Sequence, residues 1–263
     1  MSKLDSLKEA IVSKGKVVVA FSGGVDSSLL ARVAFDVLGE NALAVTVDSE
    51  TLPRRELEES RRIADEIGIR HDIVEFSELE NQRFKENPPE RCYYCRKETA
   101  SILKKIAKEK GYTTIADGVG YSDYDEYRPG IKAADEEGIW HPFVELRITK
   151  NEIREMAKEL GLSIHGKPPS ACLSSRIPYG NEITAEKLKR VEEAEDYLKG
   201  LGLEQVRVRD HEGIARIEVE DFDFFLNLDL NKIDKKLKSI GFDYVAVDLK
   251  GYRAGSMNEV LEL

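Results

Sequence analysis

The β-branched run KVVVAF at residues 16–21 stops abruptly at Ser22, Gly23, Gly24, Val25, Asp26 and Ser27, and a helical pattern follows at once. No other stretch constrains the fold as much. Two adjacent glycines let the backbone pass close to an anion, and the first turn of the next helix offers unbonded N–H groups at the positive end of its dipole. The spacing fits neither GxxxxGK[ST] nor GxGxxG. The first half continues the alternation. ALAVTVD, HDIVEF and TTIADG read as strands, with helical patterns between them from about Ser27, through Arg62 and after Cys95. Such alternation predicts an α/β fold with a parallel sheet and crossover helices, its ligand crevice at the strands' carboxyl ends.

Helices around residues 151–160 close this unit, and the Pro-, Ser- and Gly-rich stretch 165–180 reads as a loop. The order then changes to a helix over 185–201, the hairpin VRVRDHEGIARIEVE, a helix around 224–240 and a last strand, YVAVDLKGY. The expected division is an anion-loop domain over 1–165, a linker and active-site loop with Cys172 over 166–183, and a smaller α+β domain over 184–263. With 263 residues, 41% hydrophobic and 34% charged, the chain can bury cores of this kind. A net charge of −10 argues against broad nucleic-acid capture. The start, MSKLDSLKEAIVSKG, is an amphipathic helix pattern, and nothing signals secretion or a membrane, so a cytoplasmic location is expected.

With its context, SGGVDS resembles the motif of the PP-loop ATP pyrophosphatase superfamily. The resemblance implies ATP cleaved between its α and β phosphates, oxygens held at Ser22, Gly23, Gly24 and Ser27, and Mg²⁺ placed by Asp26. Asp48 ends the second strand, where that superfamily holds the nucleoside; a simple cap is the other reading.

Cys92 and Cys95 form CxxC in RCYYCRK, and Cys172 lies in PPSACLSSRIPYG. An odd cysteine count without a signal peptide speaks against a disulfide framework. Thiolates are soft metal ligands and sulfur nucleophiles. Zinc would need a fourth ligand such as His71, His141, His165 or His211; a persulfide relay and inert packing are further alternatives.

KPPSACLSSRIPYG followed by ITAEKL resembles the LarE family of ATP-dependent sulfur transferases, as do DGVGYSDYDEYRPG and HPFVELRITKNEIR. The resemblance covers nearly the whole chain. It implies adenylation of a pyridinium biscarboxylic acid mononucleotide in nickel-pincer nucleotide biosynthesis, with oxygen then replaced by sulfur. One branch sacrifices a single cysteine. This chain looks like the three-cysteine branch, in which Cys92, Cys95 and Cys172 would hold a [4Fe-4S] cluster and carry sulfide from a donor. Arg207 and Arg209 leave one face of a predicted strand, and two guanidinium forks suit a phosphate. Solvated arginines paired with Glu218 or Glu220 are the plain alternative, and the resemblance favours a substrate pocket of Arg207, Arg209 and Glu218, with Arg176 and Glu195 beside them. Tyr93, Tyr94 and Trp140 are candidates to stack on a pyridinium ring. A homo-oligomer is expected, and neither membrane nor nucleic acid as partner. The rival is a [4Fe-4S]-dependent tRNA thiolase of the same superfamily.

Overall fold

A computed structural model describes residues 2–125 and 128–261; Glu126 and the Tyr127 of the Tyr-Arg-Pro-Gly turn lie outside them. In chain order the first elements are α1 (Lys3–Lys14), β1 (Val17–Ala20), α2 (Val25–Leu38), β2 (Ala42–Asp48), α3 (Arg54–Ile67) and β3 (Arg70–Glu75). Next come α4 (Gln82–Lys85), α5 (Arg91–Lys110), β4 (Thr114–Ala116), α6 (Pro129–Glu136), α7 (Pro142–Glu145) and α8 (Lys150–Glu159). The remainder is α9 (Ala185–Gly200), β5 (Val206–His211), β6 (Ile214–Val219), α10 (Phe222–Leu226), α11 (Leu230–Ile240) and β7 (Tyr244–Val247).

The chain divides into two compact units, residues 1–77 with 90–170, and residues 78–89 with 171–263. The first holds a parallel four-stranded sheet in the order β3-β2-β1-β4. Val17, Val18 and Val19 are fully buried, as expected for an interior parallel strand covered by helices on both faces. One core cluster joins α1, α2 and α8 to Val17 and Val19; another joins α5 to Val18, Leu43 and Val45. Strand order reverses between β1 and β4, so the switch point lies at their carboxyl ends. Pairing of Val19 with Ala116 brings the end of β1 level with Asp117 and Gly118.

The second unit carries the sheet β5-β6-β7, with β5 antiparallel and β7 parallel to β6. The fold class is thus α/β with a smaller α+β unit, as the sequence predicts. Three local features differ from the reading of the sequence. Residues 78–89 group with the C-terminal unit, held by Asn87, whose buried side-chain amide donates to the carbonyls of Ile177, Pro178 and Asn181. Helix α5 begins at Arg91, so Cys92 and Cys95 lie inside its first turns. The expected single helix at 224–240 is two, because Asp229 caps a new start by accepting from Lys232 N. No helix among the described residues is long and apolar enough to cross a membrane.

Candidate active site

In the first unit, the turn after β1 is built as an anion nest. Gly23 has φ +68°, and a Cβ there would lie 2.7 Å from Ser60 Cα on α3, so only glycine fits. Gly24 is the N-cap of α2 and supplies no side-chain cap, which leaves first-turn N–H groups for a ligand. The Ser22 and Ser27 hydroxyls are 3.1 Å apart, and Ser27 Oγ accepts from Ser22 N at 3.2 Å. The turn thus brings Ser22, Gly24 and Ser27 into mutual contact. Asp48 ends β2 and pairs with Arg54 at 2.6 Å.

Three residues at this end of the sheet were not singled out from the sequence. Gly118 follows β4 and presses against the nest: a Cβ would lie 2.8 Å from Ser27 N and 2.9 Å from the Asp26 carbonyl carbon. Lys150, the first residue of α8, pairs with the Asp26 carboxylate and reaches Asp123 at 2.9 Å. Burial opposes charge on Lys150, yet Asp26 and Asp123 outweigh it and hold the ammonium above the ordinary lysine range. Asp123 is itself buried and also accepts from Gly120 N at 2.7 Å. Two carboxylates meeting on one cation form a hard-oxygen pair of the kind that suits Mg²⁺.

Beside them, buried Asp117 accepts from Arg96 and lies 2.5 Å from His141 Nδ1. Arg96 directly follows Cys95, so this ion pair ties the cysteine-bearing start of α5 to the end of β4. On α5, Cys92 is exposed and Cys95 half-buried. Their spacing of three places both on one side of the helix. Among the described residues no group of three or more His, Cys, Asp or Glu is gathered as a metal site. Two of the zinc candidates are engaged elsewhere, His71 with Thr46 at 2.8 Å and His141 with Asp117. Of the aromatic candidates, Trp140 packs on the core under Lys14 and donates to Glu145, and Tyr93 donates to Glu136.

The second unit gathers all five predicted substrate residues into one buried cluster. Arg176 donates to both Glu195 oxygens at 2.8 Å, and Glu195 also accepts from Val208 N. The other end of Arg176 holds the carbonyls of Ala171 and Cys172 at 2.8 and 3.0 Å, so it fixes the loop that carries the exposed Cys172 thiol. Cys172 Sγ lies 2.9 Å from Ser174 Oγ. Burial raises Glu195, but Arg176 beside it prevails and holds its carboxyl below the usual range.

Arg209 donates to Glu218 at 2.7 Å and to the Ser175 carbonyl at 2.8 Å, and its Nε has no partner among the described residues. Arg207 is 6% exposed and donates to its own neighbour's carbonyl, Val206 O. Burial lowers the Arg207 guanidinium, and the like charge of Arg176 lowers it further. A buried cluster with under-used guanidinium donors attracts an anion, and a phosphate matches their fork geometry.

The NAD synthase family matches residues 3–109. The chain is 38% identical over 264 residues to a pyridinium-3,5-bisthiocarboxylic acid mononucleotide synthase of Lactiplantibacillus plantarum, covering 99% of this chain and 95% of that protein. It is 44% identical over 263 residues to an uncharacterized protein of Synechocystis sp., covering 99% and 98%. A shorter match, 31% over 198 residues, pairs 70% of the chain with 63% of a glutamine-hydrolysing GMP synthase component from Thermoplasma volcanium.

Proposed function

The chain belongs to the LarE family of PP-loop ATP-using enzymes, and from that premise we propose that it adenylates a pyridinium-3,5-biscarboxylic acid mononucleotide and exchanges carboxylate oxygen for sulfur. The observation that carries the first step is the uncapped glycine nest at Gly23 and Gly24 with Asp26 beside it. Backbone N–H groups of the nest hold the pyrophosphate end of ATP, helped by the hydroxyls of Ser22 and Ser27. Asp26 and Asp123 would hold Mg²⁺, which when bound neutralises phosphate charge.

Positioning comes first. The substrate phosphate is taken by Arg207 and Arg209, with Arg176, Glu195 and Glu218 setting the guanidinium groups. A substrate carboxylate oxygen then attacks the α-phosphorus, the bond from that phosphorus to the bridging oxygen breaks, and pyrophosphate leaves with both bond electrons. A sulfur nucleophile attacks the activated carbonyl carbon, and AMP departs with the former carboxylate oxygen.

The thiolates of Cys92, Cys95 and Cys172 are a donor set suited to an iron–sulfur cluster. Cys92 and Cys95 would supply two ligands from α5, and Cys172 the third from the loop braced by Arg176. Such a [4Fe-4S] cluster would present sulfide and spare the cysteine sulfur. The proposal is tested by incubating protein, Mg²⁺-ATP and the mononucleotide, then separating the products. AMP and pyrophosphate in equal amounts support it; ADP and orthophosphate refute it.

A further inference from the structure

The last strand is followed by a segment that the substrate reading does not use. The chain leaves β7, turns at Gly251 with φ +66°, and runs back past the end of β6. A Cβ at Gly251 would lie 2.6 Å from the Val219 carbonyl oxygen, and that same oxygen accepts from Tyr252 N at 2.8 Å. The close approach sets the direction of everything after it. Tyr252 then brings its ring to 5.3 Å from the Arg207 guanidinium. Ser256, 5% exposed, accepts from Arg209 at 3.0 Å and donates to Glu218 Oε1 at 2.9 Å. Asn258 accepts from the Tyr179 hydroxyl at 2.9 Å, and Arg253 ties the segment to Asp248 and Glu259.

Of these contacts, the one at Ser256 bears on the chemistry. Glu218 competes with any incoming phosphate for Arg209, since it is fully buried and its Oε2 holds that guanidinium at 2.7 Å. Its other oxygen is shared by Arg216 at 3.0 Å and Ser256. A hydroxyl that donates to Glu218 while accepting from Arg209 satisfies the carboxylate and fixes the guanidinium plane. Arg209 Nε, buried and without a partner among the described residues, is then an unmet donor that a ligand oxygen reaching the site would satisfy.

We propose that Ser256 is a positioning residue of the arginine site, and that residues 251–258 line one side of it, with the Tyr252 ring against Arg207. In this role Ser256 orients Arg209 for the substrate's phosphate and raises the preference for a mononucleotide over the same molecule without its phosphate. The inference rests on the assignment of Arg207 and Arg209 to that phosphate.

Pyrophosphate release is measured against concentration for the pyridinium biscarboxylic acid mononucleotide and for its dephosphorylated nucleoside. The proteins are the full chain, Ser256→Ala, Ser256→Thr and Arg209→Ala. Ser256→Ala is expected to raise KM for the mononucleotide about tenfold, the effect of weakening one charge-assisted hydrogen bond. Its kcat and its KM for the nucleoside should stay within about twofold. Ser256→Thr, which keeps the hydroxyl, restores the mononucleotide KM. If Ser256→Ala does not fold, Ser256→Cys, similar in size and weaker as a hydrogen-bonding group, carries the same test. If Arg209→Ala abolishes the preference for the phosphate and Ser256→Ala leaves it intact, the role of Ser256 is overturned and the arginine site stands. If neither variant moves the preference, the arginine site is refuted and this inference with it.

Discussion

Replacing Gly118 by alanine tests how tightly the end of β4 sets the phosphate nest. The new methyl would lie 2.8 Å from Ser27 N, 2.9 Å from the Asp26 carbonyl carbon and 3.0 Å from Asp26 Cβ. Contacts of this type are comfortable at ~3.5–4.0 Å, so the overlap is about 0.7 Å. Two of the three opposing atoms are backbone and cannot rotate away. Gly118 is not among the residues with positive φ, so the substitution costs no backbone conformation. Overpacking of this size destabilises by ~1–3 kcal/mol, offset by ~0.4–1 kcal/mol from the reduced freedom of the unfolded chain.

Relief comes from displacing the first turn of α2, whose N–H groups are those proposed to hold the phosphates of ATP. Weakening one bond to a charged phosphate by ~1.5–3 kcal/mol raises the Kd for ATP about 10- to 100-fold. The assay is calorimetric titration with Mg²⁺-ATP, paired with urea unfolding. Gly166→Ala is the control, because its Cβ meets nothing within 4 Å. A folded Gly118→Ala protein that binds ATP within about twofold of the parent would refute the account of the nest.

Lys150→Met removes the cation shared by Asp26 and Asp123, and should lower stability by ~1 kcal/mol in chelator, with Mg²⁺ restoring part of it in thermal melts. The folded Lys150 pKa is raised, so its contribution is full below the ordinary lysine value and lost as pH rises through the raised one. The melting difference between parent and variant should therefore vanish only in strongly alkaline buffer. Glu195→Gln leaves Arg176 buried without its carboxylate and should cost ~3–5 kcal/mol in urea unfolding at neutral pH. Because the folded Glu195 pKa is depressed, the loss should shrink only as pH falls below the ordinary glutamate value and through the depressed one. Cys92→Ala, purified without oxygen, should lose bound iron and acid-labile sulfide yet still form pyrophosphate. Full retention of iron would contradict the three-thiolate ligand set.

Much of the first unit was legible because its signal is local. Residues 16–27 state a strand, a glycine turn and a helix start within one short window, and the physics of an uncapped helix terminus acts over that same window. The pair Arg207 and Arg209 was legible for a like reason, since alternation along a strand fixes a shared face. Gly118 and Lys150 were not, because their meaning lies in partners distant in sequence: Lys150 meets Asp26 across 124 residues. One lysine among 40 basic residues carries no mark of that contact. Asp117 and Gly118 read locally as a turn, and only the register of β4 on β1 presses Gly118 against the nest. The grouping of residues 78–89 with the second unit was hidden likewise, since it rests on bonds between distant positions, among them those from the buried Asn87 amide to carbonyls about 90 positions ahead and the backbone bonds of Lys85 and Asn87 with Ile183 and Gly180.

The acyl adenylate can be followed by its oxygen. With the substrate carboxylates labelled with heavy oxygen, attack on the α-phosphorus and later displacement by sulfur should leave one labelled oxygen in the phosphate of each AMP released per thiocarboxylate formed. Label in orthophosphate, or AMP free of label alongside thiocarboxylate, would mean that the carboxylate never bonded to the α-phosphorus.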